Sequence, residues 1–258
     1  MLMSKAVFTA ISLALATPAF AQQFGTPATG EILPGWRESN GQHIAGLSIE
    51  LAPGWKTYWR SPGEGGIPPR FNWSGSQNLA NVEVSYPVPE VSVQNGMTSI
   101  GYDRDVVLPL TVRAQDSSKP VELHGEIHIG VCEEICIPMT LSVSAMLPEV
   151  GAHNSVIARE LASQPRAGGR FACVIEPISD GLRLEARATV KPMPGETVIV
   201  ESGDAGTWVS PPVLSRDGQR LTASVEMVPP SAQPFALARS DVRMTVIGQG
   251  GAVEFVGC

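Results

Sequence analysis

From about residue 43 onward, apolar and polar residues alternate in short runs broken by Gly, Pro, Asn and Asp. "HIAGLSIEL" (43–51), "NVEVSYPVPEVSV" (81–93), "VVLPLTVRA" (106–114) and "VELHGEIHIGV" (121–131) carry the period of two that makes a half-buried strand. "LSVSAML" (141–147), "LRLEARATV" (182–190), "ETVIVES" (196–202), "LTASVEMV" (221–228) and "DVRMTVIG" (241–248) read the same way. Turn signals about every 8 to 12 residues predict β-sandwiches. One segment has helical character, "NSVIARELASQ" at 154–164, with Asn154 placed to cap its first turn and "PRAGG" to end it. The expected fold is all-β: two sandwich domains, over 22–150 and 169–258, joined by a short helical linker over 151–168.

Composition supports this picture. Gly (26) and Pro (22) are plentiful and aromatic residues make up 6% of the chain, as suits short strands and many turns. The first 21 residues stand apart. Lys5, the apolar run "AVFTAISLALA" and "TPAFAQQ", with Ala19 and Ala21 in a small-x-small pattern, read as a signal peptide cleaved after Ala21. No other apolar run reaches the length of a membrane span, so the mature protein is expected to be soluble and not membrane-inserted. Export is expected to place it in an oxidising compartment, where disulfides persist. The formal net charge of −7 becomes −8 when Lys5 leaves with the leader, which argues against nucleic acid and anionic membranes as partners.

The four cysteines divide evenly between the halves. Cys173 and Cys258 fall on the expected first and last strands of the second domain. A bond between them closes a loop of roughly 86 residues, worth about 4 to 5 kcal/mol by chain-entropy arithmetic, and reads as a structural staple. Cys132 and Cys136, in "HIGVCEEICIPMT" (128–140), are different. Along a continuous strand their Cα atoms would be roughly 13 Å apart, too far for a disulfide, so the chain must turn between them. In a hairpin with 132 opposite 136, the pairs Val131/Ile137, Ile129/Met139 and Ile127/Leu141 are apolar. Gly130/Pro138, His128/Thr140 and Glu126/Ser142 form the other, mostly polar face, and both cysteines belong to it. The pair then sits at an exposed tip with "EEI" as the loop, which lacks the glycine that a three-residue turn usually takes.

Three uses remain open for that pair. A five-residue ring gains only about 2 kcal/mol from chain entropy, so a structural clip is a weak one. An accessible bond of low structural worth suits exchange, although Glu133 and Glu134 disfavour a strongly activated thiolate. A Cu(I) site would need more soft donors, yet this register turns Met139 to the other face and leaves His128 roughly 13 Å down the strand. No metal or cofactor is therefore expected. No Ser-His-Asp arrangement, phosphate loop or HExxH occurs, His43, His124, His128 and His153 are scattered, and "GEGG" (63–66) reads as a turn.

Two stretches carry a family resemblance. "GWKTYWRSPGEGGIPPRFNW" (54–73) and "GVCEEICIP" (130–138) resemble the amino-terminal domain of DsbD-type periplasmic thiol:disulfide interchange proteins, in the subgroup that includes the suppressor-of-copper-sensitivity protein ScsB. The resemblance covers roughly residues 30–150, and the second half resembles that subgroup's additional immunoglobulin-like domain. It implies immunoglobulin-like sandwiches with the cysteine pair on a hairpin. It also implies electron relay between a membrane thiol transporter or thioredoxin-like proteins and periplasmic acceptors. Cys136 would form the mixed disulfide and Cys132 would resolve it. Two features depart from the family's better-known form: the insert between the cysteines is only three residues, and the stretch matching its aromatic cap loop, "QNGMTSIGYD" (94–103), has no Phe. Met97 or Tyr102 would shield the pair instead, with Tyr58 and Trp59 of the "YWR" strand at its rim. The other functional class open to this sequence is a non-catalytic periplasmic binding module, for example a copper-handling one, with both disulfides structural.

Overall fold

The computed structural model describes residues 25–94 and 96–258; the leader read over 1–21 lies outside them. Ten strands build the first half: β1 (Ala28–Arg37), β2 (His43–Leu51), β3 (Lys56–Gly63), β4 (Arg70–Asn72), β5 (Leu79–Val84), β6 (Glu90–Gln94), β7 (Met97–Tyr102), β8 (Val106–Ala114), β9 (Val121–Cys132) and β10 (Cys136–Leu147). They form two antiparallel sheets, ordered β1-β2-β8-β5 and β10-β9-β3-β7-β6, with β4 on the far part of β9. Leu47, Ile49, Trp59, Leu108, Leu110, Leu123, Ile127 and Ile129 fill the space between them. Their alternation along each strand is what commits one face of each sheet to that core.

The helix α1 (Ser155–Ala162) begins where its cap predicts: the Asn154 side chain accepts from the amides of Val156 and Ile157. It does more than link. Ile157 is fully buried in a small cluster with Ile44 and Val107, so the helix covers the outer face of the first sheet. The second half follows with β11 (Arg166–Gly169), β12 (Ala172–Ile178), β13 (Gly181–Thr189), β14 (Thr197–Glu201), β15 (Trp208–Val209), β16 (Val213–Asp217), β17 (Arg220–Val228), β18 (Arg243–Gly248) and β19 (Gly251–Val256). Its sheets are β11-β19-β18-β14, with β11 parallel to β19, and β12-β13-β17-β15, with β16 also on β17. The fold is the expected all-β, two-sandwich one.

"NVEVSYPVPEVSV" is not one strand. It breaks at 85–89, around Pro87 and Pro89, and its two ends join different sheets as β5 and β6. Proline removes the amide that a continuous ladder would use, so the prolines mark the place where the chain changes sheet.

The halves are packed together. On β14, Val198 and Val200 face the second core while Ile199 belongs to the first, and Ile247 and Ala252 do the same from β18 and β19. Polar groups complete the junction. The Arg60 guanidinium lies 4.1 Å over the Trp59 ring and pairs with Glu201 (2.9 Å) and with Glu254. Arg243 adds a 3.1 Å bond to Glu254.

Candidate functional site

The hairpin β9–β10 has the register its polarity dictates: Cys132 opposite Cys136, then Val131/Ile137, Gly130/Pro138, Ile129/Met139 and His128/Thr140. The two cysteines are joined, with Cα atoms 4.1 Å apart. Glu133, Glu134 and Ile135 make the turn, and none of them adopts the left-handed conformation that would call for glycine.

The pair is not symmetrically exposed at the tip. Cys136 is exposed, but Cys132 is only 5% exposed. The reason lies on the neighbouring strand. Residues 56 and 57 of β3 pair with Cys132 and Val131. The loop after β3 then folds across the same face: a Cβ built on Gly130 would stand 2.6 Å from Ile67 and 3.0 Å from the Tyr58 ring. Glycine at 130 is what lets Tyr58 and Ile67 lie flat on β9. Cys136 is flanked by an apolar rim that faces solvent, with Ile135 74% and Ile137 38% exposed.

Tyr58 is the aromatic residue that reaches the bond. Its hydroxyl lies 3.1 Å from Cys136 Sγ and 3.3 Å from the Gly65 carbonyl. The sulfur of a disulfide carries no proton, so the single hydroxyl proton is shared between two acceptors, Cys136 Sγ and the Gly65 carbonyl. Burial pushes the Tyr58 pKa up, keeping that proton in place at neutral pH.

Trp59 and Tyr102 are elsewhere. Trp59, the next residue on β3, points to the opposite face and is fully buried in the core. Tyr102 is buried as well and donates to the Pro87 carbonyl. Met97 stands at the tip of the β6–β7 hairpin, 49% exposed and beside Gly65. The cover over the bond comes from Tyr58 and the 65–67 segment instead. Sequence reading took "GEGG" for a plain turn; the signal was the small residue at 66, which leaves room for the Tyr58 ring. Met139 packs toward the core and the His128 Nδ1 bonds the Thr140 hydroxyl at 2.9 Å, so neither converges on the sulfurs.

The second disulfide, Cys173–Cys258, has its Cα atoms 5.5 Å apart. It ties β12 of one sheet to the segment just after β19 of the other. The Arg239 guanidinium lies 3.5 Å from Cys173 Sγ.

Fold and site together define a two-sandwich protein with a covered, hairpin-borne disulfide of which one sulfur faces solvent. Residues 29–148 match the family described as thiol:disulfide interchange protein DsbD, N-terminal, and this part of the chain is a DsbD-type N-terminal domain. The whole chain is similar in fold to the N-terminal periplasmic domain of ScsB from Proteus mirabilis. The two share 24% identity and a TM-score of 0.61 over 89% of this chain and 90% of that one. No curated protein matches the chain. No helix among the described residues is long and apolar enough to cross a membrane.

Proposed function

We propose that this is a periplasmic thiol–disulfide exchange protein that relays electrons between a membrane thiol transporter or thioredoxin-like partner and periplasmic acceptors. In this reading residues 1–21 are the leader, 22–150 the redox domain, 151–168 the helical connection and 169–258 a second sandwich. The asymmetry of the hairpin bond carries the proposal. Cys136 is exposed beside Ile135 and Ile137, while Cys132 is buried beneath β3. Only one sulfur is open to in-line attack.

A partner thiolate attacks Cys136 Sγ. A mixed disulfide forms, the Cys132–Cys136 bond breaks, and its electron pair leaves on Cys132 Sγ. The partner's second thiolate then attacks its own sulfur in the mixed disulfide, releasing the dithiol here and a disulfide in the partner. Run in reverse, Cys136 attacks an acceptor disulfide and Cys132 resolves the product. Electrons and protons balance without a cofactor.

Trapping tests it. Cys132→Ser leaves Cys136 free, and expressed in the periplasm it should accumulate covalent, reductant-sensitive adducts with thioredoxin-like proteins; Cys136→Ser should accumulate far fewer. Capture by neither variant, with a reduction potential below about −300 mV, fits the structural-clip reading and ends this one.

A further inference from the structure

Tyr58 and the 65–67 segment cover the hairpin bond, and part of what holds that cover lies in the other half of the chain. The Tyr58 ring is packed between two glycines. A Cβ on Gly130 would stand 3.0 Å from one edge of the ring, and a Cβ on Gly66 would stand 2.7 Å from the other edge and against Pro62. Pro62 and Gly66 therefore close on the ring from the cover side, and Ile67 reaches β9 beyond it.

The strand that carries this cover is weakly tied to its own sheet. Its registered pairs with β9 are at Lys56 and Thr57. It meets β7 at Thr57/Tyr102 and Tyr58/Gly101, and the next pair is Gly63/Ser99. Residues 59–62 thus stand against Ile100 alone, a bulge in the middle of the strand.

Arg60 lies in that bulge and is held by the second half. Its Nε and Nη2 donate to the two Glu201 oxygens at 3.0 and 2.9 Å, a side-on fork. Nη2 also bonds Glu254 and reaches the Thr245 hydroxyl at 3.5 Å. These acceptors sit on β14, β19 and β18, adjacent strands of one sheet. The Arg60 side chain and both carboxylates are mostly buried, so their pairs are screened less than surface ones.

We propose that the second half is a clamp on the cover of the Cys132–Cys136 bond, with Arg60 as the positioning residue through which it acts. Arg60 is two residues from Tyr58 in one direction and two from Pro62 in the other. Fixing it fixes the bulge, and with it the Tyr58 hydroxyl 3.1 Å from Cys136 Sγ and the segment over Cys132. The inference rests on the exchange reading of the pair and gives the second half a part in that chemistry. Docking of the halves sets how far Cys132 is shielded and how strongly the reduced Cys136 is stabilised.

The first test uses the full mature chain carrying Cys136→Ser, in which Cys132 is free. The probe is iodoacetamide, at a pH above the thiol's midpoint, with the modified peptide quantified by mass spectrometry. A buried thiol reacts through local opening, so its rate reports how often the cover lifts. Arg60→Met should speed the reaction about tenfold. Glu201→Gln combined with Glu254→Gln should do the same; it changes only the second half, and it serves if the methionine variant does not fold.

The second test equilibrates the chain with both cysteines against glutathione. The hairpin disulfide and two glutathione thiols give the dithiol and one glutathione disulfide, read by alkylation of the 132–136 peptide. Loss of the Tyr58 bond should move the equilibrium constant about fivefold toward the hairpin disulfide in the same variants. Arg60→Met added to Tyr58→Phe should move it no further than Tyr58→Phe alone, because one acts through the other. A merely structural Arg60 predicts a lower melting temperature with both readouts unchanged at room temperature, and that result in a folded variant overturns the inference. Neither readout needs a protein partner. Shifted readouts with nothing trapped in the periplasm would sink the relay and keep the clamp, and trapped partners with unshifted readouts would do the opposite.

Discussion

Tyr58 and His43 show what single side chains do here, and both are open to measurement. The Tyr58 hydroxyl is bonded to Cys136 Sγ, and a thiolate accepts a hydrogen bond better than a disulfide sulfur does. Tyr58→Phe should therefore destabilise the reduced form. A net loss of about 1 kcal/mol corresponds to a potential about 20 mV more negative, readable by equilibration with glutathione. His43 is buried, its Nε2 is bonded to the Pro34 carbonyl, and its Nδ1 has no partner among the described residues. Burial holds its pKa below the ordinary value of 6.5, with the Pro34 bond opposing the shift. In acid the unfolded chain takes up a proton on His43 before the folded one does. Stability is thus full above pH 6.5 and lost as pH falls below it, by at most about 1.4 kcal/mol per pH unit until the folded value is reached. Denaturation at pH 7.5 and 5.5 should show that loss, and His43→Gln should reduce it. Sequence alternation put both cysteines on one face, correctly. It could not show that Cys132 is buried, because a face says nothing about what a distant segment lays over it. That information sits at Lys56, Tyr58 and Ile67, more than 60 residues away.

At the scale of elements, the strands that were legible are those with one wet face. β2, β8 and β9 were found to within a residue, and the β9–β10 register followed from polarity alone. β3 was not found by alternation and was named only through the family's "YWR" strand, and the reason is physical: Thr57, Tyr58 and Trp59 are consecutive and all buried, so no period of two survives. The same double burial makes the strand informative. Its successive residues serve three places, with Tyr58 at the disulfide, Trp59 in the core and Arg60 at the second half. Gly130→Ala tests the packing of the cover. The new methyl would overlap Ile67 and Tyr58, should cost about 1 to 3 kcal/mol in denaturant unfolding, and should increase the reactivity of Cys132 toward alkylating reagents after reduction. The two disulfides should also separate by stability. Opening the five-residue ring with a double serine substitution should cost about 2 kcal/mol, against about 4 to 5 for Cys173–Cys258, because the longer loop restricts the unfolded chain more. Equal losses would mean that the hairpin bond carries structural weight that its ring size does not predict.

Across the whole molecule, the halves are coupled through a mostly buried ion-pair cluster. The Arg60, Glu201 and Glu254 side chains are 20%, 18% and 17% exposed. Removing Arg60 would take away the ion pair that each carboxylate makes with it, leaving Arg243, which bonds Glu254 and stands opposite Glu201 across β14 and β18. Arg60→Ala should cost about 3 to 5 kcal/mol and split a single unfolding transition into two, measured by calorimetry. A single unshifted transition would show that Ile199, Ile247 and Ala252 alone hold the junction. Two sandwiches were visible in the sequence; their contact was not. "ETVIVES" reads as an ordinary strand, and nothing local reveals that Ile199 belongs to the other half's core while Val198 and Val200 belong to its own.

The position of β19 has a consequence for how the chain is made. It lies inside its sheet, between β11 and β18, and Cys258 closes its bond just beyond it. Until residues 251–256 are available, β11 has no neighbour and β18 lacks one of its two. The Ile199 and Ile247 side of that sheet is also finished only against the first half. A chain emerging from its N-terminus can therefore complete the sandwich that carries Cys132–Cys136 early and hold it as a template. The second sandwich must wait for the last strand, then close and dock in one late step.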